Sequence, residues 1–112
     1  MKEVKAFIKP KRVQEVVKAL RNAHFESVTL SKGEGTGAHR QKDASPSLEF
    51  HFTDSPVVKL ELVCQNEETD EVVRLISTNA RTPETGDGII YISEVNDAFR
   101  IKTGQSLKRY DL

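Results

Sequence analysis

The stretch Glu3–Leu20, EVKAFIKPKRVQEVVKAL, changes its period once. Up to Lys9 the apolar residues alternate: Val4, Ala6 and Ile8 share one face of a half-buried strand. Pro10 ends that pattern, because its fixed φ and missing N–H suit the first turn of a helix. Val13, Val16, Val17, Leu20 and Ala23 then recur at helical spacing with Lys and Arg on the other face, predicting a helix to about Asn22–His24. A strand feeding straight into an amphipathic helix is half of a two-layer unit. The remaining elements decide which one.

FESVTLS brings back the alternation, with Phe25, Val28 and Leu30 as anchors of a second strand. Lys32–Ser47, KGEGTGAHRQKDASPS, holds three glycines, one proline and no large apolar residue, so it reads as an exposed loop. Loops of this length in compact domains are usually functional or disordered. Leu48, Phe50 and Phe52, then Val58, Leu60, Leu62 and Cys64, predict a third strand over about 48–64. Pro56 interrupts it and argues for an edge or a bulge there. Asn66 is a good N-cap, with Glu67, Glu68 and Asp70 in the first turn where the helix dipole favours them. Val72, Val73 and Ile76 form the buried stripe of a second helix ending near Ala80. RTPETGDG is a loop, IIYIS a fourth strand, EVNDAF a short helix or turn, and RIK a final extended piece. Strand, helix, strand, strand, helix, strand is the α+β ferredoxin-like βαββαβ sandwich, an antiparallel sheet with both helices on one face. Nothing in this chain covers the other face, which points to an oligomer. With no repeat and no linker, residues 1–112 make one domain.

Composition narrows the function classes. Seventeen basic residues balance seventeen acidic ones, so no bulk field draws the chain to nucleic acid or anionic lipid. An RNA-reading sheet would need paired aromatics and a basic surface, and at 6% aromatic this chain supplies neither; no nucleic acid partner is expected. Cys64 is alone, which excludes an intrachain disulfide and a cysteine metal cluster. The N-terminus is charged throughout and no apolar run approaches a membrane span, so a cytoplasmic protein is expected. His24, His39 and His51 lack the i, i+4 pairing of a metal helix, and no Ser-His-Asp order is legible. A small ferredoxin-like phosphatase would need a glycine-built phosphate loop directly after the first strand, and KPKRVQ has none. No catalytic residue and no metal ligand are assigned.

Anion binding is better served. Backbone N–H groups of a glycine loop can make a concave anion nest, and Gly86-Asp87-Gly88 is one candidate. Gly33, Gly35 and Gly37 offer another at the base of the long loop. Arg100 and Lys102, two apart on an extended segment, would project to the same side. Singly, each is as well explained by an ordinary turn or a wet edge. Together they suggest an anion site.

The same residues carry a resemblance. MKEVKAFIKPKRVQEVVKALRN resembles the opening strand, Lys-Pro and first helix of the PII family of trimeric signal-transduction proteins. TGDGIIYISEVNDAFRIKTGQ, Thr85–Gln105, is similar to that family's Gly-Asp-Gly signature with its apolar strand, turn and Arg-Ile-Arg-Thr-Gly-Glu ending, and VVKLELV resembles its third strand. The match covers nearly the whole chain. It implies a compact homotrimer whose sheets face one another, adenine nucleotides (ADP, AMP or ATP) as effectors in the clefts between subunits, and a mobile loop, here about 36–54, docking on a transporter, enzyme or regulator. It further implies Thr29, Glu61, Leu62 and Val63 around the base, Gly35 and Gly37 at the root of the mobile loop, and Gly86, Asp87 and Gly88 wrapping the phosphates within a loop of about 82–89. Arg100 and Lys102, opening a C-terminal segment of 100–112, would reach across from the adjacent subunit.

The chain departs from the pattern at defined points. The family's Thr-Gly-x-x-Gly-Asp-Gly-Lys is Thr82-Pro-Glu-Thr-Gly-Asp-Gly-Ile89 here: a phosphate-contacting lysine is replaced by Ile89, and Glu84 adds a negative charge. Lys102 replaces an arginine and loses a planar bidentate donor. Tyrosine occurs only at positions 91 and 110, so the mobile loop lacks the residue that some members modify, leaving Ser45 and Ser47 as hydroxyls near its tip. HRQK, His39–Lys42, sits out of register with the family's Gly-Arg-Gln-Lys, which puts Gln41 as a Mg²⁺-linked contact, and Mg²⁺ itself, in doubt. The resulting expectation is a PII-like regulator that keeps adenine selectivity and has lost much of the family's preference for a triphosphate. The alternative is a PII-like trimer sensing another small anion such as bicarbonate, linked to a transporter or carbon-fixation system.

Overall fold

The computed structural model describes residues 1–36, 45–46 and 53–107. Strand β1 spans Lys2–Ile8; a 3-10 turn, Pro10–Arg12, leads into helix α1, Val13–Asn22. Then come β2 (Thr29–Gly35), a two-residue β3 (Ser45–Pro46) and β4 (Thr53–Cys64). A second 3-10 turn, Asn66–Glu68, opens α2 (Thr69–Ala80), and β5 (Gly88–Glu94) follows.

The sheet order is β2-β4-β1-β5 with every neighbour antiparallel, and β3 adds a short rung beside the start of β4. β1 takes a central place because its alternation gives it a fully apolar face: Val4, Ala6 and Ile8 are buried. Residues paired across strands share a face, so Ala6 meets Leu60 on one side and Ile90 on the other, and Val4 meets Leu62. Val16 and Leu20 of α1 and Val72, Ile76 and Ala80 of α2 close over this face. The result is the two-layer ferredoxin-like sandwich expected from the element order.

The opposite face carries Glu3, Lys5 and Phe7 of β1, Lys59, Glu61 and Val63 of β4, and Ile89 and Tyr91 of β5. No element of the chain packs on it among the described residues. Phe7 and Tyr91 meet edge to face with ring centroids 5.9 Å apart, and Ile89 and Tyr91 stay 53% and 54% exposed. Ion pairs Lys5–Glu3 (3.6 Å) and Lys59–Glu61 (3.2 Å) flank them.

Four local expectations are corrected. β2 starts at Thr29 rather than Phe25 and runs through the glycines to Gly35, because β4 reaches back to Thr53 and supplies a pairing partner. Val57, opposite Gly33, sits over the glycines, its methyls 3.5 Å from where a Cβ of Gly33 or Gly35 would lie. Pro56 does not interrupt β4; β1 stops pairing at Val58, so the proline falls where that neighbour has ended. The 3-10 turn that leads into the second helix is capped by Gln65 rather than Asn66, in a reciprocal box where Glu68 Oε1 accepts from Gln65 N at 2.9 Å, and α2 itself begins at Thr69. Arg100–Lys102 is not extended. Ala98–Leu107 forms a tight hairpin, with Arg100 N donating to Gln105 O (3.0 Å), Gly104 N to Arg100 O (2.8 Å) and Leu107 N to Ala98 O (2.8 Å). Lys102 therefore lies in the turn, and the same-side projection of the two cations is lost. The loop expected over about 36–54 falls mostly outside the described residues, and with it Gly37, His39, Gln41, Lys42, Ser47 and His51.

Candidate functional site

Two groups of the anticipated residues come together, and they lie apart. The first forms where β2 begins and β4 ends. Thr29 stands opposite Glu61 across the β2–β4 ladder. The hairpin folds Arg100 back towards them, so Thr29, Glu61, Leu62, Val63 and Arg100, joined by Glu3, Ser27 and Leu107, line a cavity of about 380 Å³. Leu62 is 5% exposed with its side chain in the core, so its backbone is what it offers. The cavity mixes two hydroxyls, carboxylate acceptors, one guanidinium and apolar walls, a set suited to a flat heteroaromatic ring with polar edges. Lys102 does not line it.

The second group is the Thr82–Gly88 loop. Gly86 and Gly88 have φ of 81° and 109°. Gly88 stands opposite Ile8, and a Cβ on it would lie 1.6 Å from the Phe7 carbonyl oxygen, so close strand pairing alone demands glycine there. Asp87 turns its carboxylate inward: Oδ2 accepts from Thr82 N (2.8 Å) and Oδ1 from Thr82 Oγ1 (2.5 Å). Lys9, 3% exposed, brings its Nζ to 3.3 Å from both Asp87 Oδ1 and Thr82 Oγ1. Partial burial pushes the Asp87 carboxyl up, but the hydrogen bonds from Thr82 and the Lys9 ammonium outweigh it and hold the group below the ordinary carboxylate value. Glu84 N donates to Thr82 Oγ1 (3.1 Å), and the Glu84 carboxylate pairs with Lys11 at 2.9 Å, so its charge is met within the chain. A cleft of about 510 Å³ opens beside the loop, between Ile76, Ala80 and Arg81 of the α2 end and Gly88–Ile90 of β5.

β2 and β5 are opposite edges of the sheet. At a strand spacing of 4.7–4.9 Å, three spacings put the Thr29 edge about 14 Å from the Gly88 edge. Arg100 belongs with Thr29 and Glu61 in one copy, whereas the resemblance assigns it across a subunit boundary from them. Gly35 ends β2, opposite Ser55. Lys9 and Thr82 escaped sequence reasoning. Lys9 breaks the buried parity of β1 and carries a charge, so periodicity assigns it to solvent. Among the described residues no cluster of three His, Cys, Asp or Glu could hold a metal ion, and no helix is long and apolar enough to cross a membrane.

Comparison with known proteins agrees with the fold. A family model described as nitrogen regulatory protein P-II matches residues 1–105. The chain is 37% identical over 112 residues to nitrogen regulatory protein P-II 2 of Methanothermobacter thermautotrophicus, covering 97% of this chain and 96% of that one. It is 34% identical over 109 residues to nitrogen regulatory protein P-II of Rhizobium meliloti, covering 95% and 96%. It is also 37% identical over 103 residues to nitrogen fixation nifHD region GlnB-like protein 1 of Methanobacterium ivanovii, covering 92% and 95%.

Proposed function

The chain belongs to the nitrogen regulatory protein P-II family of regulatory signal-transduction proteins, and on that premise we propose that it binds an adenine nucleotide between neighbouring copies of a homotrimer. The supporting observation is that the two candidate walls line separate cavities, one shared by β2, β4 and β1 around Thr29, Glu61 and Arg100, the other beside edge strand β5 at Asp87 and Gly88. A copy laid edge to edge with the next would bring the Gly86–Gly88 loop of one to the Thr29, Glu61 and Arg100 cavity of the other. Such a contact joins unlike surfaces, and a heterologous contact closes as a ring when its rotation permits. Three copies also give the uncovered face, with Phe7 and Tyr91, a common interior.

In this reading Thr29, Glu61 and the Leu62–Val63 backbone hold the base, and Arg100 serves the sugar and inner phosphates. Gly86, Asp87 and Gly88 offer backbone N–H groups from the neighbouring copy. Bound nucleotide supplies negative charge that ties the two edges together. Gly35, at the far end of β2 from Thr29, precedes the 36–54 segment, through which occupancy reaches a membrane transporter, enzyme or regulator. The protein acts without catalysis, in the cytoplasm, and no role is assigned to Mg²⁺. Light scattering should give three times 12.6 kDa, and calorimetry should show adenine nucleotides binding while guanine nucleotides do not. A monomer without nucleotide binding would overturn the reading.

The second reading, a trimer sensing bicarbonate or a similar small anion, draws on Ile89. That residue stands where a phosphate-contacting cation is expected. Heat on titration with bicarbonate, and none with AMP, ADP or ATP, would favour it.

A further inference from the structure

We propose that Lys9 is the positioning residue of the Thr82–Gly88 loop: its buried ammonium neutralises Asp87, so that a loop containing a carboxylate can present its backbone to phosphate. The inference rests on the nucleotide reading of that loop. An acidic side chain between the two glycines of a phosphate-facing turn is a contradiction unless its charge is met from behind. Lys9 sits at the end of β1, just before Pro10, with its side chain 3% exposed, and reaches Asp87 Oδ1 and Thr82 Oγ1 at 3.3 Å each. An ammonium in such a place is costly unless it is paired and hydrogen-bonded. Asp87 spends both oxygens inward, on Thr82 N, Thr82 Oγ1 and Lys9. Its carboxylate therefore closes the loop on itself, and the left-handed Gly86 and Gly88 carry the backbone on either side. Of the other charged groups beside the loop, Lys11 pairs with Glu84, Arg12 Nε donates to Asn79 O at 2.8 Å, and Arg81 Nη2 donates to Ser77 Oγ at 3.0 Å.

Two effects follow from removing the ammonium. The loop loses a tie, and the Asp87 charge is left to repel an incoming phosphate. The second effect separates positioning from mere stability, because it scales with the charge of the ligand. Calorimetric titration of the full chain with adenosine and with ADP reads it. Lys9→Met should weaken ADP about ten- to a hundred-fold, the scale of a lost contact to a charged group, and adenosine less than threefold. The double variant Lys9→Met/Asp87→Asn, in which neither charge remains, should recover most of the ADP affinity. Equal loss for adenosine and ADP, or a double variant as weak as Lys9→Met, would overturn the proposal. A ligand-free measurement covers the case in which Lys9→Met does not fold or wild type takes no ADP. Amide exchange at Thr82 in Asp87→Asn should speed up at least tenfold relative to core amides of β1, and unchanged exchange would overturn the brace. Wild-type failure to bind ADP, with the exchange result as expected, would instead sink the nucleotide reading alone.

Discussion

Gly88 and Asp87 are neighbours whose roles are set by different partners, one by a backbone oxygen and one by a buried cation. At Gly88 the Phe7 carbonyl leaves no room for a Cβ, and φ is 109°. Gly88→Ala must displace the β1–β5 pairing and should cost at least about 3 kcal/mol in urea unfolding. Gly104 has φ of 68° but nothing within 4 Å, so Gly104→Ala should cost only the left-handed penalty of about 1–2 kcal/mol. The carboxyl of Asp87 is held below its ordinary value by Thr82 and Lys9 against the effect of burial. A depressed acid stabilises the fold above the unfolded carboxylate range, and that stability is lost as pH falls through the folded value. Urea midpoints between pH 7 and pH 3 should therefore fall more steeply for wild type than for Asp87→Asn, and parallel curves would refute the assignment. The glycine pair was legible from sequence because glycine marks unusual backbone. Lys9 was not, since a charge at an exposed-parity position gives no local sign of burial.

At the scale of elements, local pattern located both helices and the strands β1, β4 and β5, and failed at β2 and β3, where the deciding partner lay far along the chain. Val4, Ala6 and Ile8, and Leu60, Leu62 and Cys64, announced their shared face by alternation. β2 was misplaced because glycine has poor strand propensity, and only the long β4 makes Gly33 and Gly35 a strand. The terminal cations were misread as extended because a hairpin closed by Leu107 N and Ala98 O leaves no period to find. Even so, Thr29, Glu61, Leu62, Val63 and Arg100 do share one cavity, and Gly86–Gly88 do share one loop. The pattern puts a cap at Asn66, whereas Gln65 caps the 3-10 turn leading into α2, and the difference is measurable. Glu68→Ala removes the acceptor for Gln65 N and should cost about 0.5–2 kcal/mol. Asn66→Ala, which leaves that box intact, should stay within about 0.5 kcal/mol.

For the molecule as a whole, what matters is that the sheet has unlike edges and a face on which nothing packs among the described residues. Ile89 belongs to both features. It follows Gly88 at the start of β5, faces the uncovered side opposite Phe7, and is 53% exposed. In the proposed assembly that position borders the phosphates held by the neighbouring copy, where a lysine would add a cation that this chain lacks. The anticipated consequence is a flat ranking, with ADP or AMP binding as well as ATP. Ile89→Lys tests it without disturbing the core, because the side chain lies outside the cluster formed by Val4, Leu60 and Ile76. A contact to a charged group contributes about 1.5–3 kcal/mol, so the variant should tighten ATP about 10- to 150-fold while leaving adenosine unchanged. Calorimetry on wild type and variant at one salt concentration decides the matter. Wild type already preferring ATP tenfold or more would mean that another cation reaches the outer phosphate. An Ile89→Lys variant with unaltered ranking would place the phosphates away from the Gly88 edge, and the edge-to-edge assembly would fail with it.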